Sequence, residues 1–195
     1  DPFELIGELL EIVCGLAAFH VAQQFLQLAN QFERVANVET KEWLPGYYQA
    51  YCLVTASFVD RGASAMDKDA LLDRAESVID KIFADNPAEV EVHVLKAYFL
   101  TARLSVDPAT RGQQYSMLSQ QAIGRALGIN ATHPRARYMK LSNDLGTARY
   151  FKSDTQKYCD QAQTLLDEWD DFKPQSEIHP SWGKMQVAGI IKSCK

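Results

Sequence analysis

Four cysteines, four histidines, a stripe of aromatic rings and a run of bases are the residues of this chain with chemistry to offer. The cysteines stand at 14, 52, 159 and 194 and the histidines at 20, 93, 133 and 179. A metal site needs ligands at short, regular spacing, such as a CxxC pair or a histidine one helical turn from another ligand. Neither arrangement occurs, so no metal is expected. HExxH, GxSxG, a phosphate-binding loop and a paired-carboxylate motif are also lacking. No catalytic residue and no cofactor is therefore assigned, and an enzyme is the remote reading, requiring groups that converge from distant positions.

Trp43, Tyr47 and Tyr51 recur at i, i+4 and i+8, with Tyr48 beside them. On one helix face such rings would line a groove for an extended peptide or a helix. The competing reading is that they fill the gap between neighbouring helices. Arg135, Arg137, Lys140, Arg149 and Lys152 put five bases on or beside a second helix. They would attract an acidic segment or a carboxylate, or simply form a solvated basic face. Arg137 and Lys140 join the four rings as the candidate groove. Arg103, Asp107 and Arg111 bracket one tight connection, where Asp107 reads as a helix cap and the arginines as ion-pairing partners.

The elements that hold these residues are helical. Phe3, Ile6, Leu10, Val13, Ala17, Val21, Phe25, Leu28, Phe32 and Val35 step by three or four, the period of one helix face. No turn chemistry interrupts Leu16 to Ala29 and Gly15 is the one candidate breaker, so residues 3–38 read as one helix of about 54 Å, with a hairpin as the alternative. Its first half is apolar on a second face and wants a further partner, which a symmetric or domain-swapped homodimer would supply. Beyond it, Trp43-Leu44-Pro45, Asp67, Asn86-Pro87-x-Glu89, Asp107-Pro108, Thr132-His133-Pro134, Ser153-x-x-Gln156 and His179-Pro180 each carry a helix-start signal. No period-two run is long enough for a sheet. The class expected is all-α, with short loops.

Four of these helices end alike, in FERVANVET, IDKIFADNP, IGRALGINA and LDEWDDFKP. The endings close at residues 40, 87, 131 and 174, a period of 47, 44 and 43 residues with two helices in each. A two-helix period marks a solenoid, whose pairs bury their apolar faces only by stacking. The expected architecture is one domain over 1–195, a right-handed helical-hairpin solenoid with repeats near 1–40, 41–87, 88–131 and 132–174 and a capping helix over 180–194. If the last two helices turn near residue 176, Cys159 lies 17 residues before that point and Cys194 lies 18 after. Both then sit at one height, where a disulfide would staple the cap in an oxidising compartment. Cys14 and Cys52 default to buried thiols.

The endings resemble the tetratricopeptide repeat: a small residue, a large one four later, a small one three later, then proline. The period is longer than that family's, and its first-helix signature is poorly kept. The strings NQFERVANVETKEWLPGYYQAYC, ARLSVDPATRG and FKPQSEIHPSWGK are similar to those of a group of small exported bacterial tetratricopeptide-repeat proteins. That resemblance implies a periplasmic or cell-envelope setting, carries no catalytic residues, and leaves a cytoplasmic one open.

Composition bounds the rest. Net charge is −5 and 23% of residues are charged, which gives no basic face for nucleic acid. Residues 1–40 hold six acids against one base, whereas residues 132–195 hold eight against ten. No apolar run is long enough to span a membrane. Asp1-Pro2 has no basic n-region and is not itself a signal peptide, and whether one preceded it stays open. The function expected is a protein-interaction scaffold that binds a peptide or protein in the groove of the first helices. The alternative is an assembly role for residues 3–38.

Overall fold

The computed structural model describes residues 21–194, and among them every regular element is helical. Eight α-helices run in order: α1 (Val21–Val38), α2 (Trp43–Val59), α3 (Ala65–Asp85), α4 (Val90–Val106), α5 (Pro108–Ile129), α6 (Pro134–Tyr150), α7 (Gln156–Asp167) and α8 (Lys184–Lys192). A 3-10 turn, Trp169–Asp171, follows α7. Each helix packs on the next in the chain, and α2, α4 and α6 also pack on one another in sequence. Connections are short, so neighbours in sequence become neighbours in space.

Helix α1 buries Phe25, Leu28, Ala29, Phe32 and Val35, one stripe at helical spacing, against α2. The continuous helix expected over 3–38 is seen from Val21 onward; its first part, with Cys14 and His20, lies outside the described residues. Helix α2 is different in kind. It is buried on nearly every side, from Leu44 to Ser57. A helix apolar all round must be enclosed, and α2 is enclosed by α1, α3, α4 and the chain after α7. Gly46 marks the tightest approach: a Cβ there would stand 2.8 Å from Ile82 of α3.

Helix starts follow local chemistry, with four corrections to the sequence reading. Ser64, rather than Asp67, caps α3: its Oγ accepts the Asp67 N–H while the Asp67 carboxylate accepts the Ser64 N–H, a full capping box. Glu89, not Asn86, caps α4, because residues 86–89 form a turn closed by the Glu89 N–H on the Asn86 carbonyl. The box expected from Ser153 and Gln156 does not form; the Asp154 carboxylate accepts the Gln156 N–H instead. The capping helix begins at Lys184 rather than Pro180, since residues 180–182 are spent on an aromatic cluster described below. Asp107 and His133 do cap α5 and α6, each followed by proline in the first turn.

The core is a long cluster through α1–α6 and a smaller one joining α6, α7 and α8 through Leu141, Ala162, Leu165, Trp169 and Val187. Cys159 on α7 and Cys194 just beyond α8 form a disulfide, with Cα atoms 6.1 Å apart. It closes a loop across the thinnest part of the core, where a nine-residue helix buries only Val187. Cys159→Ser is therefore expected to lower unfolding free energy by about 2–4 kcal/mol, read by denaturant melts of both proteins. An unchanged midpoint would show that α8 holds without its staple.

Candidate functional site

The aromatic face of α2 does not line an open groove. Tyr47, Tyr48 and Tyr51 are buried and Trp43 is half-buried. The covering is the chain's own segment 172–183, which crosses α6, α2 and α4 as an irregular strap. The Tyr48 hydroxyl donates to the Ile178 carbonyl at 2.9 Å, and the Trp182 indole N–H donates to the Tyr47 hydroxyl at 2.8 Å. The Trp182 ring stacks on Tyr51 at 5.2 Å, lies tilted against Tyr98 at 5.3 Å and meets Tyr138 edge to face at 6.1 Å. His179 meets Trp43 edge-on. Burial pushes the Tyr47 and Tyr51 phenols well above their ordinary value, so both remain neutral donors and acceptors. The groove expected from Trp43, Tyr47, Tyr48 and Tyr51 is thus filled from within: the Trp182 indole covers Tyr51 and donates to the Tyr47 hydroxyl, His179 meets Trp43, and Phe32 of α1 stacks on Tyr48.

Beside the strap lies a buried charge cluster that no local pattern announces. Glu91 in the first turn of α4 faces His133 and Arg135 at the start of α6, and all three are at most 4% exposed. The Arg135 Nε donates to both Glu91 oxygens at 2.9 and 3.0 Å, and its Nη2 also donates to Oε1. His133 Nε2 stands 3.1 Å from the same oxygen, while its Nδ1 accepts the Ala136 N–H as a helix cap. Phe172 of the strap closes the cluster, its ring under the Arg135 guanidinium at 5.4 Å and against His133 at 4.8 Å. Gly183 completes it. It adopts φ +112°, and a Cβ would stand 2.6 Å from Trp169 and 3.3 Å from Arg135. Burial alone would raise the Glu91 carboxyl, but the His133 and Arg135 hydrogen bonds outweigh it and hold Glu91 below the usual carboxylate range. A cavity of about 250 Å³ opens here between Glu89, Asn130, Lys173 and His179.

Arg137 and Lys140 are brought together elsewhere. They line a cleft of about 390 Å³ between α6 and α7, with Leu141 and Leu165 as its floor and Asp144, Asp160, Gln161 and Thr164 around them. Arg137 pairs with Glu168 at 2.6 Å and Lys140 with Asp144 at 2.5 Å, both at the surface. Arg103 and Arg111 form a separate knot on α3, sharing Asp69, with Arg103 also bound to Asp73 and Glu76. It ties α3 to α4 and α5. Cys52 is a buried thiol that burial pushes well up, so it stays protonated. Among the described residues no cluster of metal-ligating side chains occurs, and no helix is long and apolar enough to cross a membrane.

No family model matches the chain, and no curated protein matches it. Among solved structures the chain is similar to the HusA haemophore from Porphyromonas gingivalis. The two share 25% identity with a TM-score of 0.83, over 100% of this chain and 93% of that one.

Glu91→Gln would leave the Arg135 guanidinium buried without its counter-ion, at a cost of about 3–5 kcal/mol. The pH dependence has a definite sign. Because folding lowers the Glu91 pKa, its stabilisation is fully present above the unfolded-state value and is lost as pH falls through the folded one. Thermal melts from about pH 2 to about pH 7 should show the native protein losing stability as pH falls below the ordinary carboxylate range, with Glu91→Gln losing less over that range. Parallel profiles would sink the assignment.

Proposed function

We propose that this chain is an exported binding protein whose ligand is a haem-type tetrapyrrole. The observation that carries the reading is the likeness to a haemophore over the whole chain, at a TM-score of 0.83 and 25% identity. The cleft between α6 and α7 supports it as the binding place. Its volume falls within the range of small-molecule sites, which run from about 300 to 1,000 Å³. Leu141 and Leu165 offer an apolar floor to a flat ring, and Arg137 and Lys140 stand at its edge, where the acid side groups of a porphyrin would lie. Their present partners, Glu168 and Asp144, are held in surface ion pairs that cost little to exchange. Among the described residues the cleft lining contains no histidine, cysteine, methionine or tyrosine. Recognition there would rest on the ring face and the acid groups rather than on the iron.

A peptide on the aromatic face of α2 is the weaker reading, since Ile178 and Trp182 of the same chain hold that place. Assembly through residues 3–38 has no observation to favour it: the stripe of α1 packs on α2, and the second apolar face that assembly would use lies before Val21, outside the described residues.

Titration with haemin and with iron-free protoporphyrin IX, followed by the Soret band, tests the reading. Both are expected to bind with similar affinity. Replacing Arg137 and Lys140 together by alanine is expected to weaken both by roughly tenfold, as the loss of two charge-assisted contacts implies. No Soret change with either compound would rule out tetrapyrrole binding. Binding of haemin alone would move the site away from this cleft.

A further inference from the structure

The turn between α6 and α7 carries two aromatic rings that the fold leaves in water. Tyr150 is 71% and Phe151 70% exposed. Among the described residues their only ring contact is with each other, edge to face at 5.1 Å. The turn that presents them is firmly closed. The Phe151 N–H donates to the Thr147 carbonyl, Lys152 N–H to Arg149 and Ser153 N–H to Ala148, the last at 2.8 Å. Such a helix end usually places glycine in the left-handed position and covers the turn with an apolar contact. Here Lys152 occupies that position at φ 53°, accepting strain that glycine would avoid, and the rings face outward.

Cations surround the tip. Residues 149–160 hold three bases, Arg149, Lys152 and Lys157, against two carboxylates, Asp154 and Asp160. Lys192 is drawn to the same end, because Arg149 Nη2 donates to the Ser193 hydroxyl at 2.9 Å and Cys194 is bonded to Cys159. All four are exposed. Among the described residues none of the four is in an ion pair; Arg149 is held by Ser193, and Lys157 lies over the Tyr158 ring at 4.8 Å. A net positive end with protruding rings has been set on a chain whose overall charge is −5.

We propose that the Tyr150–Phe151 tip docks this protein onto an anionic lipid surface, with the rings at the headgroup boundary and Arg149, Lys152, Lys157 and Lys192 over the lipid phosphates. Aromatic rings are at home at that boundary, and basic side chains near a negative leaflet add attraction one by one. The tip projects, with both rings largely in solvent. A projecting pair of rings needs a matching pocket on a protein partner but enters a fluid interface without one.

Flotation with phosphatidylcholine vesicles, with and without phosphatidylglycerol, tests this on the whole chain. The wild type is expected to float only with the anionic vesicles and to be released by salt. Tyr150→Ser with Phe151→Ser, and separately Lys152→Glu with Lys157→Glu, are each expected to weaken partition by about tenfold or more. Both double variants alter exposed positions, and circular dichroism melts matching the wild type establish that they fold. Failure of the wild type to float with anionic vesicles overturns the proposal, as does equal flotation of folded variants. Capture by immobilised polyglutamate without any flotation also overturns it and assigns the tip to an acidic protein. None of these outcomes depends on whether a tetrapyrrole binds the α6–α7 cleft.

Discussion

The rest of the structure depends on Trp182 standing in the hollow between Tyr51, Tyr98 and Tyr138. A stack of helices joined by short connections tends to leave one side lined by rings and hydroxyls that no neighbour covers. Here that side includes α2, the most enclosed helix among the described residues, and it is sealed by one indole with an N–H placed on the Tyr47 hydroxyl. The seal accounts for several features around it. The strap stays irregular because its residues serve ring contacts rather than a helix ladder. Helix α8 starts late, and Gly183 takes a left-handed turn so that Trp169 and Arg135 can close up behind it.

The second constraint is electrostatic. Glu91 and Arg135 are taken out of water together, and each is tolerable only because the other is there. Such a pair contributes little net stability compared with apolar residues of the same volume. It does restrict how α4 and α6 stack, because a shift of register would strand a charge. His133 serves both needs: one ring nitrogen caps α6 and the other meets Glu91. The start of α6 is thereby locked to the start of α4 at one relative height.

The all-helical class was legible from the three-and-four spacing of apolar residues and from prolines just inside helix starts, as at Pro108 and Pro134. Helix ends were less so, because Ser64 and Asp67 are both good caps and only the fold decides between them. The rings of α2 were visible as a stripe, but nothing near them says that Trp182, 135 residues from Tyr47, fills the space they leave. Glu91 and Arg135 were unreadable as a pair for the same reason, being 44 residues apart with no local motif. Arg137 and Lys140 could be read as bases on one helix. Their cleft could not, since its floor includes Leu165 from the next helix.

The strap also bears on the order in which the molecule can be completed. Packing between successive helices requires only residues close in sequence, so most of the array can form as each pair becomes available. The contacts of Ile178 and Trp182 with α2 join residues 130 and 135 positions apart. They cannot exist until the chain has been made as far as residue 182. The aromatic side of α2 therefore remains uncovered while residues 60–182 are made and becomes interior only after that. During that interval the protein offers other molecules a sticky face that its finished form does not possess.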